Sequence, residues 1–183
     1  QFNSPSGICI DNSNSFLYVA DAHNHKIRKI DLATNTVTTF AGSTQGYANA
    51  MGTAVKFNNP AGICIDTYNN LYVAEDLGNR IRKINSTGYV SNLAGNGTIG
   101  SADGAGTAAR FYNPSAVCVD AQKNVYVADD GNAKVRKITP SGTVTTVAGT
   151  IFGFEDGPVA TAKFRITPGI CIDTATNNLY LTD

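Results

Sequence analysis

The stretch FLYVADAHNHKIRKI, residues 16–30, decides the fold of this 183-residue chain because it recurs along the sequence. It returns as NLYVAEDLGNRIRKI at 70–84, as NVYVADDGNAKVRKI at 124–138 and, in its first half only, as NLYLTD at 178–183. In the first copy Tyr18 and Ala20 alternate with Leu17 and Val19, which is the period of a strand, and the β-branched KIRKI favours a second strand. Each copy therefore predicts two strands joined by a polar turn.

The sequence on both sides of this stretch repeats with it. FNSPSGICID begins at Phe2, FNNPAGICID at Phe57, FYNPSAVCVD at Phe111 and FRITPGICID at Phe164, while TVTTFAG, YVSNLAG and TVTTVAG close the first three copies. The period is about 54 residues, with four short strands per repeat and no sustained helical period. We predict an all-β fold, a β-propeller of four-stranded antiparallel blades, with blades at 2–56, 57–110 and 111–163 and a partial blade at 164–183.

The repeated pattern P-x-G-[IV]-x-[IV]-D, [LV]-Y-V-A-D, N-x-[KR]-[IV]-R-K-I and V-x-T-x-A-G resembles the NHL repeat family over essentially the whole chain. The resemblance implies a propeller, commonly six-bladed, whose innermost strands line a central channel. It also implies two functions to weigh, since some NHL propellers bind RNA through a positively charged face and some propellers of similar shape are lyases or lactonases with a metal at the channel.

Three blades and part of a fourth do not close a ring, so the propeller is expected to be incomplete or open as given. The simpler interpretation is that the sequence is a fragment of a longer chain. The absence of an initiator Met and of a signal segment also favours a fragment. The alternative is self-assembly, in which neighbouring copies cover the unpaired strands and the apolar faces of the outer blades.

Composition narrows the possible partners. Lys and Arg total 14, as do Asp and Glu, so the formal net charge is zero, which argues against nucleic acid as a partner. No apolar run approaches the roughly 20 residues of a membrane-spanning helix, so no membrane insertion is expected.

Four cysteines, Cys9, Cys64, Cys118 and Cys171, each lie in the middle of the first strand of a repeat. Equivalent positions on adjacent blades are expected to lie too far apart for disulfides, and the spacing does not match a zinc site. We therefore expect four small apolar side chains packed between blades.

Basic and acidic residues are segregated by strand. Nine of the 14 basic residues fall in the third strand of a repeat, and Asp21, Glu75, Asp76, Asp129 and Asp130 cluster at the end of the second. Ion pairs within and between blades are the expected result. The basic positions are not interleaved with aromatic residues in the sequence, which further disfavours RNA binding.

Loops after the second and fourth strands must emerge on one face. The loops after the fourth strand are long, at 43–56, 96–110 and 150–163, and are here called the first, second and third interblade loops. Because binding residues concentrate on loops held by a rigid scaffold, this face is the candidate interaction face. Its candidate residues are His23, Asn24, His25, Asn49, Asn79, Asp103, Asn132 and Asp156.

Catalytic and metal-binding signals are weak. Asp103-Gly104 and Asp156-Gly157 indicate turns in which the Asp caps its own backbone, and neither loop has the dense carboxylates of a calcium site. His23 and His25 form a lone His-x-His, and nucleophile elbows and phosphate-binding loops are missing. We predict no cofactor, no metal site and no catalytic residue.

We therefore predict a non-catalytic interaction or structural module of a larger secreted or cell-surface protein, with a protein partner or other copies of itself. The alternatives are part of a six-bladed lyase or lactonase with a metal at the channel and, less strongly, an RNA-binding domain. Abundant Asn, Ser, Thr and Gly and the sequons at Asn85 and Asn96 favour an extracellular location with glycan at one or both sites.

Overall fold

Fifteen strands build the protein in a computed structural model that describes residues 1–165 and 167–183. Blade one contains β1 (Pro5–Ile10), β2 (Phe16–Asp21), β3 (Lys26–Asp31) and β4 (Thr36–Gly42). Blade two contains β5 (Pro60–Ile65), β6 (Leu71–Glu75), β7 (Arg80–Ile84) and β8 (Val90–Ala94). Blade three contains the short β9 (Gly104–Ala105), β10 (Pro114–Val119), β11 (Val125–Asp129), β12 (Lys134–Ile138) and β13 (Thr143–Ala148). The partial fourth sheet contains β14 (Gly169–Asp173) and β15 (Asn178–Thr182).

Every blade is an antiparallel meander with its strands in chain order from the inner edge to the outer edge. The predicted four-stranded blades are confirmed, and blade three adds β9, a piece of the second interblade loop, outside β13. The only helices in the described ranges are single 3₁₀ turns at Ala22–Asn24, Gly52–Ala54, Gly106–Ala108 and Asp130–Asn132. No described helix has the length and apolar character needed to cross a membrane.

Adjacent blades pack face to face, and their innermost strands approach most closely. Gly62 on β5 allows this approach, because a Cβ there would lie 2.6 Å from the Cα of Ala116 on β10. Larger side chains fill the space further out. Ala20, Ile27 and Phe57 meet Ile63, Leu71 and Val73 between blades one and two, and an equivalent cluster fills the space between blades two and three.

The strand alternation predicted from sequence explains this packing. In blade two Leu71 and Val73 face blade one, while Tyr72 and Ala74 face blade three, so both faces of one sheet are buried. The opening of the propeller is visible at its first face. Ile8 is 59% exposed although its counterpart Ile63 is only 6% exposed, because no described sheet covers that side of blade one.

Candidate binding face

The candidate face is the end of the blades at which the first strand begins and the second ends. In blade one Pro5 pairs with Asp21, Asp21 with Lys26 and Lys26 with Gly42, so the turns after β2 and β4 share this end. The expectation that these loops lie on one face is confirmed, and we call this end the loop face. The three interblade loops begin at this face, which also holds the turns at 22–25, 76–79 and 130–133.

Three polar side chains on the loop face join each blade to the next one. Each accepts a hydrogen bond from a backbone N–H just before the next inner strand. The accepting atom is an imidazole nitrogen, an amide oxygen or a carboxylate oxygen, depending on the blade. The pairs are His25 Nδ1 with the N–H of Asn59 at 3.2 Å, Asn79 Oδ1 with that of Asn113 at 3.0 Å, and Asp130 Oδ1 with that of Thr167 at 2.5 Å. Two predicted site residues, His25 and Asn79, are therefore engaged in joining blades.

Two further predicted residues, Asn24 and Asn132, hold the buried carboxylates at the ends of their second strands. The amide of Asn132 donates to Asp129 at 2.8 Å and to the carbonyl of Gly100 at 2.8 Å. Blade two has a different arrangement around its buried carboxylate. Its acid is the longer Glu75, and the position of Asn132 is taken by Gly78, where a Cβ would lie 2.7 Å from that of Glu75.

A buried arginine in the third strand anchors blades two and three. Nη1 of Arg136 donates to Asp129 at 2.7 Å, and Nη2 donates to the carbonyl of Ala102 at 3.0 Å and to Asp103 at 2.6 Å. Arg82 makes the equivalent contacts with Glu75, the carbonyl of Ala48 and Asn49. We call this contact of the arginine Nη2 with the preceding interblade loop the arginine clasp. The Nη1 contacts with Glu75 and Asp129 confirm the expected ion pairs within blades, and the Nη2 contact with Asp103 confirms one between blades.

The clasp also assigns a role to Asn49 and Asp103. Asp103 accepts hydrogen bonds from the backbone N–H and the hydroxyl of Thr146 as well as from Arg136. The prediction that Asp103 caps its own turn is wrong, because the carboxylate points across to the next blade. The glycine half of that prediction holds, since Gly104 and Gly157 have φ of +150° and +152°.

Burial and hydrogen bonding act in opposite directions on the acids under the loop face. Burial raises the pKa of Asp129, and the hydrogen bonds from Tyr112, Asn132 and Arg136 oppose that rise. Burial also lowers the pKa of His25, with a smaller effect in the same direction from His23. His25 is thereby favoured as the neutral imidazole that its acceptor role requires.

His23 and Asp156 are the predicted residues least tied to the scaffold. His23 is exposed and its Nδ1 lies 3.0 Å from the hydroxyl of Ser4. Asp156 is exposed in the third interblade loop and forms no hydrogen bond or ion pair with any described residue. The structure does not bring the eight predicted residues into one cluster, and their assignment as an interaction face stays a prediction.

Lysines of the third strands pair with aromatic rings that sequence spacing did not reveal. Lys83 lies opposite Tyr72 with its Nζ 5.7 Å from the ring, and Lys137 lies in the same relation to Tyr126. Aromatic and basic positions that are not interleaved along the sequence are thus brought side by side by antiparallel pairing. Tyr72 is nevertheless 2% exposed, so its ring is covered.

The four cysteines are free thiols. Burial raises the pKa of Cys9 and Cys118 to about 12, and raises that of Cys64 well above its ordinary value, so these thiols are protonated at neutral pH. The expectation that the cysteines pack between blades is confirmed for these three and is wrong for Cys171, which is exposed. Its strand β14 presents that side chain to a face that no described sheet covers.

A metal at the channel was the premise of the enzyme alternative. Within residues 1–165 and 167–183, no three His, Cys, Asp or Glu side chains come together as a metal site. The carboxylates nearest the inner strands have other partners: Asp66, for example, accepts from Tyr72 and Asn70. The described residues therefore do not fit a metal ion.

Sequence reasoning missed the exposed apolar side chains of the loop face. They stand in otherwise polar loops and have the following exposed fractions: Tyr47 47%, Leu77 53%, Ile99 56%, Ile151 64%, Phe152 59% and Phe154 83%. The signal was present in the sequence, as apolar residues at turn and loop positions where no strand alternation requires them. Tyr47 is held in place, since the guanidinium groups of Arg80 and Arg82 lie 4.2 and 4.8 Å from its ring centre.

The two sequons differ in position. Asn85 lies in the turn between β7 and β8, at the opposite end from the loop face, and its side-chain oxygen accepts from the backbone N–H and hydroxyl of Thr87. Asn96 begins the second interblade loop, where its carbonyl accepts from Arg80 at 2.6 Å.

Comparison with known proteins supports the propeller. Residues 1–98 match the family described as the SMP-30/Gluconolactonase/LRE-like region. The chain is 28% identical over 197 residues to the chloroplastic protein SUPPRESSOR OF QUENCHING 1 of Arabidopsis thaliana, a match that covers 99% of this chain and 18% of the plant protein. It is 37% identical over 82 residues to human NHL repeat-containing protein 2, a match that covers 44% of this chain and 11% of the human protein.

Solved structures share the fold. A Bacteroides thetaiotaomicron protein of unknown function superposes with a TM-score of 0.80 at 23% identity, over 98% of this chain and 44% of its own. A catalytically inactive virginiamycin B lyase from Staphylococcus aureus, solved with quinupristin, gives 0.67 at 19% identity, over 97% and 48%. The chain thus spans a minority of each of these relatives and neighbours. Together with the repeats, these matches identify an NHL-type β-propeller segment without a closed ring.

Proposed function

The chain belongs to the SMP-30/gluconolactonase/LRE-like region family of β-propellers, and from that premise we propose that it is a non-catalytic module whose loop face binds another protein. The observation that carries this proposal is the set of exposed apolar side chains on that face, of which Leu77, Ile99 and Phe152 are each more than half exposed. Contiguous patches of exposed apolar side chains rimmed by polar residues mark protein-binding surfaces.

The polar residues of the same face support this proposal. Asn49, Asn79 and Asp103 form hydrogen bonds that hold blades together, and such residues give a surface a fixed shape. A fixed backbone lowers the entropy lost when a partner binds, so the scaffold favours recognition by its protruding apolar side chains. His23, Asn24 and Asp156 would form the polar rim around them.

The test compares two surfaces of the native protein that contains this chain. Leu77→Ser with Ile99→Ser alters the loop face, and Leu32→Ser with Tyr68→Ser alters exposed apolar residues in turns at the opposite end. We expect proteins recovered by quantitative affinity purification to fall at least tenfold for the loop-face variant and to stay unchanged for the control. Equal recovery with both variants would contradict the proposal.

A second candidate function is part of a propeller enzyme. The family description includes a gluconolactonase, and one structural neighbour is a lyase, which together favour this alternative. A metal-dependent enzyme of this kind would need ligands beyond the described residues, because no metal-ligating cluster lies among them. Lactone hydrolysis by the native protein, measured with and without a chelator, decides this point: turnover above the uncatalysed rate would replace the scaffold proposal.

An extracellular or cell-surface location remains part of the proposal. Asn85 supports it, because the side-chain nitrogen makes no hydrogen bond within the described residues and the turn that carries it is exposed at Ser86 and Thr87. A mobility shift on enzymatic deglycosylation, abolished by Asn85→Gln and Asn96→Gln together, would support it. Identical mobility before and after treatment of the secreted protein would count against glycan at both sites.

A further inference from the structure

The second interblade loop begins with Asn96-Gly97, which is the only Asn-Gly pair in the sequence. Glycine leaves the preceding asparagine open to attack, because no side chain hinders the approach of the glycine nitrogen to the asparagine amide. Gly97 has a φ of +89°, in the left-handed region that glycine adopts without strain. The contacts around this pair favour a reaction between its two residues.

The carbonyl of the peptide group between Asn96 and Gly97 accepts a hydrogen bond from a cation. Nη2 of Arg80 lies 2.6 Å from this oxygen, and Nη1 donates to the carbonyl of Gly78 at 3.1 Å, which holds the guanidinium in place. The guanidinium lies against Gly97, since a Cβ at that position would collide with it. Its positive charge stabilises the anion formed when the nitrogen of Gly97 loses its proton, because that anion carries much of its charge on the same oxygen.

The nitrogen of Gly97 and the side chain of Asn96 are placed for each other. The N–H of Gly97 makes no hydrogen bond with any described residue, so its proton is open to a base in solvent. Oδ1 of Asn96 accepts from the N–H of Thr98 at 2.8 Å, which closes a ring that contains both Cγ of Asn96 and the nitrogen of Gly97. Negative charge develops on this Oδ1 when Cγ is attacked, and the N–H of Thr98 is a donor aimed at it.

We propose that Asn96 is a site of spontaneous deamidation, promoted by Arg80 and by the N–H of Thr98. A base in solvent takes the proton of Gly97 N–H, and the electron pair of that nitrogen forms a bond to Cγ of Asn96. The bond from Cγ to Nδ2 then breaks, and Nδ2 takes a proton from solvent and leaves as ammonia, which gives a cyclic imide. Water opens the imide at Cγ to give aspartate, or at the main-chain carbonyl carbon to give isoaspartate.

Both products change the loop face. Aspartate at this position adds a carboxylate beside Arg80, and isoaspartate lengthens the main chain by a methylene group at the start of the loop that carries Ile99 and Asp103. Either product also destroys the sequon of Asn96, so deamidation and a glycan exclude each other at this residue. The reaction does not depend on the proposed function, because it uses none of the exposed apolar side chains of the loop face.

Asn85 is a matched control within the same chain. Its Oδ1 accepts from the N–H two residues later, that of Thr87 at 3.1 Å, as in the turn at Asn96. The residue that follows is Ser86 instead of glycine, and the main-chain carbonyl of Asn85 accepts from the neutral N–H of Gly88 at 2.8 Å. Asn85 therefore has the turn without the glycine and without the cation, and is expected to keep its amide.

The test is incubation of the native protein that contains this chain at neutral and alkaline pH, followed by peptide mass spectrometry without enzymatic deglycosylation. We expect the mass change of an amide-to-acid conversion at Asn96, isoaspartate among the products, a rate that rises with pH, and an unchanged Asn85 over the same period. The peptide LAGNGTIG, residues 93–100, measures the rate without the fold. Asn96 in the folded protein is expected to react at least as fast as in this peptide.

Substitutions at Arg80 test the role of the cation. Arg80→Met is expected to slow the reaction of Asn96 several-fold, and Arg80→Lys, which keeps a positive charge, is expected to restore most of the rate. Lys83→Met removes another cation of the same strand, one whose Nζ lies 5.7 Å from the ring of Tyr72, and is expected to leave the rate unchanged. An intact Asn96 under conditions in which the peptide reacts, complete occupancy of Asn96 by glycan, or equal rates for Arg80→Met and wild type would overturn the proposal.

Discussion

Arg136 in blade three and Arg28 in blade one occupy the same position of the same repeat, but their surroundings differ. The side chain of Arg136 is fully buried, with two carboxylates and two backbone carbonyls as acceptors, whereas that of Arg28 is 15% exposed and has two acceptors. The difference comes from the interblade loop that precedes blade three. A repeat motif therefore has its full energetic role only when the adjacent segment completes its hydrogen bonds.

The largest test of this comparison replaces each arginine by methionine. Arg136→Met leaves Asp129 as a buried carboxylate without its cation, and removing one partner of a buried pair costs about 3–5 kcal/mol of unfolding free energy. Arg28→Met likewise leaves the buried Asp21 without its cation, but Arg28 is itself 15% exposed and has fewer acceptors, so a smaller loss of about 2 kcal/mol is expected. Denaturant titration of both variants measures the difference. Equal losses would show that the interblade loop adds nothing to the arginine.

Much of this architecture could be predicted from sequence, because strand alternation and turn residues are local signals and recur in three copies of the repeat. The four-stranded antiparallel blades and the acid–arginine pairs followed directly. The arginine clasp did not, because Asp103 meets Arg136 across 33 residues and its Asp-Gly sequence equally fits a simple turn. Cross-strand neighbours such as Tyr72 and Lys83 were missed for the same reason, since they depend on register.

The exposed first face of blade one gives a second, smaller test. Val144→Ala removes buried methyl groups from a side chain that is 1% exposed, which is expected to cost about 2 kcal/mol. Val37→Ala at the matching position, where the side chain is 39% exposed, is expected to change stability by about 0.5 kcal/mol or less. Thermal or chemical unfolding distinguishes these values. A large loss for Val37→Ala would mean that this face is covered in solution.

The smallest expected effect concerns His25, which does in blade one what Asn79 does in blade two. Because burial lowers the pKa of His25 below 6.5, the unfolded chain binds its proton more readily than the folded one. Its contribution to stability is fully present above pH 6.5 and is lost as the pH falls through the lower folded-state pKa. Protonation also removes the Nδ1 acceptor for the N–H of Asn59.

His25→Asn gives blade one the amide acceptor that Asn79 supplies in blade two, and is expected to keep the hydrogen bond from the N–H of Asn59 at every pH. Both residues have a left-handed backbone, with φ of +55° at His25 and +50° at Asn79, so the change does not strain the turn. The difference in unfolding free energy between wild type and variant should therefore depend on pH only below about 6.5. His23→Asn, which leaves the Asn59 hydrogen bond intact, is the control. If His25→Asn and wild type lose stability in parallel on acidification, the hydrogen bond from Asn59 to neutral His25 does not stabilise the contact between blades one and two. His25 would then not have the role that Asn79 has in the next blade.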